Sequence, residues 1–266
     1  MLGMIDPTLT HQEIIGVSSA LKAVLEEAKK AAMSDAPVLL LGAPGSGKES
    51  IARAIHRMSP RRHESFIKVN CSLIPAERFE TSLFRHDQGI LTCTPGPQAG
   101  RLEEASKGTL FLDEVADFPL GLQRKLLHEL RERKLKSVNS NRTIDVTVRV
   151  IAATTYPLGS RVTERRFRSD LYDVLKKVSI QVPSLRQRRE DIPLLARYFV
   201  QMFAQRMKKR IEAIPAHTMN TLMSCSWPGN VRELENFIER AVIFTAGPRL
   251  QLPPSDLVPD LKASSE

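Results

Sequence analysis

Val38-Leu39-Leu40-Leu41-Gly42-Ala43-Pro44-Gly45-Ser46-Gly47-Lys48-Glu49-Ser50 is an apolar run that breaks into a glycine-rich loop and ends on a lysine. Four aliphatic residues in succession suit a strand buried on both faces of a parallel sheet. Gly42, Gly45 and Gly47 let the backbone turn sharply enough for successive N–H groups to face one anion. Lys48 then brings a point charge to the terminal phosphates, and the helix it opens adds the positive end of its dipole. The stretch is read as a phosphate-binding loop that holds a nucleotide. Where the generic pattern places Ser or Thr after the lysine to hold magnesium, this chain has Glu49, with Ser50 one residue later. A glycine-rich turn with an incidental lysine is the competing reading.

A second stretch weighs against that alternative. Gly108-Thr109-Leu110-Phe111-Leu112-Asp113-Glu114 is another short apolar run, and it ends in two acids. Ligands of parallel sheets collect beyond the carboxyl ends of the strands, where such acids would lie. Asp113 is suited to hold Mg²⁺ through water, and Glu114 to polarise an attacking water.

Further apolar runs at Phe66–Val69, Val148–Ala153 and Ser179–Val182 bring the total to five and alternate with helical patterns. This predicts an α/β fold, a five-stranded parallel sheet with crossover helices. Helices are expected near Ser18–Met33, Lys48–Met58, Pro75–Phe84, Leu120–Arg133 and Phe167–Lys177. Past Pro183 the strands stop, and Ile192–Lys209, Ala216–Ser224 and Val231–Thr245 read as three helices. The expected organisation is an N-terminal extension (1–11), an α/β nucleotide-binding domain (12–183), a small all-helical domain (184–252) and a proline-rich tail or linker stub (253–266). At the start of the last helix, Trp227-Pro228-Gly229 forms a turn, Asn230 is placed to cap, and Glu233 is placed to complete a capping box. Arg232 therefore falls in the first turn, where it can be aimed at a ligand.

At 266 residues and 42% hydrophobic content, the chain can bury a full core. No apolar run approaches the roughly 20 residues needed to span a bilayer, and no signal peptide opens the sequence, so a cytoplasmic protein without a membrane partner is expected. Cys71, Cys93 and Cys225 are far apart and lack metal-ligand spacing, which points to reduced thiols. The net charge of +9 suits a nucleotide or nucleic-acid partner. Much of it lies in clusters such as Arg161–Arg168, Arg186–Arg189 and Arg206–Arg210, which read as solvated helix faces.

Six stretches taken together carry a resemblance: GAPGSGKESIARAIH, VNCSLIP, GTLFLDEVAD, FRSDLY, REDIPLLA and WPGNVRELENFIERAV. From Ile14-Ile15-Gly16 to about Leu252, the chain resembles the AAA+ domain of bacterial enhancer-binding proteins, the activators of sigma-54 RNA polymerase. Within that family it resembles the formate-hydrogenlyase activator branch. In that family Glu normally follows the loop lysine, so Glu49 is regular. The resemblance implies ATP as ligand with Mg²⁺, and a helical lid after the P-loop domain. It places Ile14, Ile15 and Gly16 at the adenine and Asn70 as a restraint on the catalytic Glu114. Arg232 would be the second sensor on the γ-phosphate, and Arg168 an arginine finger reaching a neighbouring subunit. A finger in trans requires a ring, typically a hexamer, of this chain alone or mixed with a relative.

Three positions depart from the family pattern. The sigma-contacting loop, Gly-Ala-Phe-Thr-Gly-Ala in the family, aligns with Gly89, Ile90, Leu91, Thr92, Cys93 and Thr94, stiffened by Pro95 and Pro97. The first-sensor Asn is Thr155, and the second finger falls on Val174. Two readings stand beside one another: an ATP-hydrolysing regulator that remodels sigma-54 polymerase, and a hydrolysis-impaired, sigma-54-independent regulator or inhibitory paralogue. DNA would be contacted only through a helix-turn-helix domain that this stretch of sequence does not contain.

Overall fold

The computed structural model of the protein describes residues 14–84, 100–132, 134–136, 143–145 and 147–252. Its strands are β1 (Val38–Leu41), β2 (Phe66–Asn70), β3 (Thr109–Asp113), β4 (Lys134–Lys136), β5 (Thr143–Asp145), β6 (Arg149–Thr154) and β7 (Val178–Gln181). Five of them form a parallel sheet in the order β2-β3-β6-β1-β7, and β4 pairs with β5 as an antiparallel ribbon. Burial follows strand position. Every residue of the central β6 is buried, as are the first four of β3, whereas the edge strands β2 and β7 are largely half-exposed. The continuous aliphatic runs thus belong to strands covered on both faces. Register aligns Leu40 with Ala153 and Ile180, and Asn70 with Asp113.

The helices are α1 (Ser19–Ala32), α2 (Lys48–Met58), α3 (Ala76–Phe84), α4 (Arg101–Glu104), α5 (Leu120–Glu132), α6 (Leu158–Thr163), α7 (Ser169–Leu175), α8 (Ile192–Arg206), α9 (Ala216–Ser224) and α10 (Asn230–Phe244). The chain divides into two compact units. Among the described residues, one comprises 26–42 and those of 51–181 and carries the sheet; the other comprises 14–25, 43–50 and 182–252.

In the sheet unit, Leu39, Leu110, Leu112, Val150 and Ala152 share a core with Phe79 and Phe118, whose rings meet edge to face at 4.7 Å. Arg149 is fully buried at the start of β6, and its guanidinium donates to the carbonyls of Ala31 and Ala32 at 2.6 and 3.1 Å. It thereby satisfies two of the carbonyls that the end of α1 leaves without helical partners. In the helical unit, Phe199, Phe203, Trp227, Phe237 and Ile238 form the core, and Trp227 Nε1 donates to the Leu222 carbonyl at 2.8 Å.

Most expected elements appear within two or three residues of their predicted bounds. One helix is shorter than its periodicity suggests: α8 ends at Arg206 rather than Lys209. Lys208 turns left-handed (φ 53°), and the Lys209 amide closes on the Ala204 carbonyl at 2.9 Å. That is a Schellman-type stop without the usual glycine. The ribbon and the short α4 and α6 lie outside the predicted elements. Among the described residues no helix is long and apolar enough to cross a membrane.

Candidate nucleotide site

The loop that follows β1 is held from its carbonyl side. Ala43 O accepts from Lys48 Nζ (3.4 Å) and the Ser46 amide (3.2 Å), and Pro44 O accepts from Asn230 Nδ2 (2.9 Å). Gly45 O accepts from the Val231 amide (3.0 Å), and Ser46 O from Arg188 Nη2 (2.6 Å). Four consecutive carbonyls thus have hydrogen-bond donors, and a backbone anion nest is built from the N–H groups of such a turn. Gly45 and Gly47 are left-handed, at φ 69° and 100°. A Cβ on Gly45 would in addition strike the Gly229 carbonyl oxygen and lie 3.1 Å from Arg232 Cβ. Lys48 is buried at the start of α2. The Ser46 hydroxyl is buried and has no hydrogen-bond partner among the described residues. An orphaned donor on a basic, glycine-built turn fits a phosphate oxygen.

Ile14, Ile15 and Gly16 belong to the same unit. Ile15 packs against the helical core, and a Cβ on Gly16 would collide with Leu21 and come within 2.7 Å of the Asp191 carboxyl. Asp191, wholly buried, accepts from the amides of Val17 (2.6 Å) and Ser18 (2.8 Å) and from Ser18 Oγ (2.7 Å).

Arg232 lies in the first turn of α10, but the start of that helix differs from expectation. Asn230 does not cap it: its Oδ1 accepts from the Leu185 amide (2.7 Å) and its Nδ2 donates to Pro44 O. The Glu233 carboxylate accepts instead from the amide of Gly229 (2.7 Å), one residue earlier than expected, and with glycine at the cap no reciprocal box forms. Asn230 is left-handed, at φ 55°.

The strand-end acids belong to the sheet unit. Glu114 is left-handed (φ 50°) immediately after β3. Both of its carboxylate oxygens accept from Thr155, one from the amide (3.0 Å) and the other from Oγ1 (2.8 Å). Asp113 lies 3.6 Å from Lys68 Nζ. Asn70, at the end of β2, accepts through Oδ1 from the Ser72 amide (3.1 Å) and hydroxyl (2.8 Å). Next to it the Cys71 thiol is buried, and burial together with the nearby acids pushes its pKa far up, which disfavours the reactive thiolate. Arg168 precedes α7 and forks onto Asp170 at 3.0 and 2.7 Å. That pairing holds the Asp170 carboxyl below its ordinary range. Val174 packs against the sheet-unit core. Residues Gly89–Thr94 lie outside the described residues.

Two site residues fall outside the sequence-based set. Arg188, read as part of a solvated basic run, is only 4% exposed. Asp191, inside the quoted REDIPLLA stretch, is one of the most buried polar side chains in the structure. The available signal was an acid three residues after an arginine at the entry to an apolar helix.

Comparison with known proteins places the chain in a family. A family model described as the sigma-54 interaction domain matches residues 14–181, and one described as the AAA+ ATPase lid domain matches residues 186–266. The chain is 50% identical over 240 residues to the DNA-binding transcriptional activator HyfR of Escherichia coli, covering 90% of this chain and 36% of HyfR. It is likewise 50% identical over 246 residues to the formate hydrogenlyase transcriptional activator FhlA of the same organism, covering 92% of this chain and 36% of FhlA. The chain thus spans about a third of the length of these relatives. Among solved structures, NtrX from Brucella abortus in complex with ADP superposes with a TM-score of 0.84 at 36% identity, covering 96% of this chain and 57% of NtrX. Its complex with ATP gives 0.82 at 37% identity, covering 93% and 56%. The chain belongs to the sigma-54 interaction domain family of AAA+ proteins, with an AAA+ lid domain behind it.

Proposed function

We propose that the chain binds ATP at Gly42–Ser50 and hydrolyses it as part of a ring oligomer that acts on sigma-54 RNA polymerase. The observation that carries the nucleotide assignment is the row of four engaged carbonyls from Ala43 to Ser46 around left-handed Gly45 and Gly47. In this reading Lys48 neutralises the terminal phosphates, Arg232 senses the γ-phosphate, and Ile14, Ile15 and Gly16 receive the adenine. Glu114 orients the attacking water, and Thr155 holds the Glu114 carboxylate by two hydrogen bonds. Asn70 restrains the same glutamate.

Asp113, a hard-oxygen donor at the end of β3, would hold Mg²⁺ through water. The ion would spread the charge that develops on the phosphates. Arg168 would stabilise that charge from a neighbouring subunit, for which its fork onto Asp170 must open. Val174 supplies no second finger.

The segment Gly89–Thr94 would carry the conformational change to the sigma factor. Promoter DNA would be reached through parts of a longer protein or through partners. The match over nine-tenths of the chain to proteins named as transcriptional activators favours this reading over a hydrolysis-impaired paralogue.

The test is ATP turnover measured against protein concentration. Specific activity should rise with concentration, as a finger in trans requires, and Glu114→Gln should abolish turnover while leaving ATP binding intact. Binding without hydrolysis at every concentration would refute the motor reading.

A further inference from the structure

Leu185–Asp191 forms a 3₁₀ segment broken at Arg188, whose φ of −135° and ψ of 49° are not helical. The break turns the Arg188 side chain inward. Its Nη2 donates to the Ser46 carbonyl at 2.6 Å, while its Nε is buried without a hydrogen-bond partner among the described residues. Burial disfavours the charged guanidinium, and the Asp191 carboxylate partly offsets that effect. A desolvated cation with an unmet donor is costly to keep, and here it sits against a residue whose own hydroxyl is also orphaned. Three residues further on, Asp191 holds Val17 and Ser18 directly after Ile14-Ile15-Gly16. One short segment therefore grips both the phosphate loop and the chain that leads from the base pocket.

We infer that Arg188 and Asp191 form a brace that fixes the spacing between the base end and the phosphate end of the nucleotide site, with Arg188 as the positioning residue for the loop. The inference rests on the reading of Gly42–Ser50 as an ATP site. The two ends of the brace have separable consequences. Arg188→Met releases the loop alone, so it weakens ligands that carry phosphates and spares one that does not. Asp191→Asn converts an acceptor of three hydrogen bonds into a group that accepts through one oxygen, so it loosens the base end and weakens every adenine ligand alike.

The experiment is calorimetric titration of the full chain with adenosine, ADP and ATP in the presence of Mg²⁺, for wild type, Arg188→Met, Arg188→Lys and Asp191→Asn, alongside nucleotide-free melting temperatures. Arg188→Met should lose about tenfold or more in ATP and ADP affinity with adenosine affinity held within twofold. Asp191→Asn should lower all three by a common factor. Arg188→Lys, which keeps the charge but not the fork, should fall between wild type and Arg188→Met, and it decides the question if Arg188→Met does not fold. Equal losses of adenosine and ATP in the Arg188 variants would mean a general structural role and overturn the brace, as would ATP affinity within twofold of wild type. A wild-type chain that binds neither ATP nor ADP would refute the nucleotide reading and the brace with it.

Discussion

At the scale of single residues, Thr155, proposed for the first-sensor position, donates its amide and its hydroxyl to one Glu114 oxygen each. Thr155→Val keeps the shape and the backbone bond and deletes the hydroxyl bond. The expected outcome is a fall in kcat of about tenfold, equivalent to about 1.4 kcal/mol, with ATP affinity unchanged. Steady-state hydrolysis with a parallel binding titration checks this, and an unchanged kcat would remove Thr155 from the proposed catalytic set. The places of Lys48, at the start of α2, and Glu114, directly after β3, were legible because glycines before a lysine and an apolar run ending in acids mark a strand end and a helix start. Arg188 was not. In a run of arginines, what distinguishes a buried guanidinium from a solvated one is a partner carbonyl 142 positions away, at Ser46. Asn230 failed for a related reason, since its amide serves Leu185 and Pro44, not the helix it opens.

At the scale of elements, short apolar runs located all five strands of the main sheet: the central β1, β3 and β6 are nearly continuous in apolar residues, and the half-exposed edge strands β2 and β7 keep enough Phe, Ile and Val to stand out. The stop of α8 was hidden because Lys208 adopts the left-handed turn ordinarily given to glycine. The packing of α2 onto β3 carries a pH dependence. His56 Nδ1 lies 2.9 Å from Thr109 Oγ1. Burial holds its pKa below the ordinary 6.5; Arg149, Arg53 and Arg57 push the same way, against a backbone hydrogen bond at Glu64. As pH falls the unfolded chain takes up this proton first, so the stability from neutral His56 is present above about pH 6.5 and is lost as pH drops toward its lower folded value. Thermal unfolding at pH 7.5 and 5.5 should show a larger drop for wild type than for His56→Gln. Equal drops would mean that His56 is not the group responsible.

At the scale of the whole molecule, the loop Ala43–Ser50 is built into the helical unit, although its neighbours in sequence, β1 and most of α2, belong to the sheet unit. Five hydrogen bonds anchor its four carbonyls, and three of the donors, at Arg188, Asn230 and Val231, are far away in sequence. Damage to the helical core should therefore reach the nucleotide. Leu234 is fully buried there, and Leu234→Ala should cost about 2–5 kcal/mol of local stability. ATP affinity should fall although no group proposed to touch ATP is altered. A Leu234→Ala protein of lowered melting temperature with undiminished ATP affinity would contradict this. The coupling also runs in reverse. A ligand at a hundredfold over its Kd stabilises whatever must be folded to bind it by about 2.7 kcal/mol. In a cell the supply of ATP would then act as a clock on the lid, setting how long its helices withstand a protease.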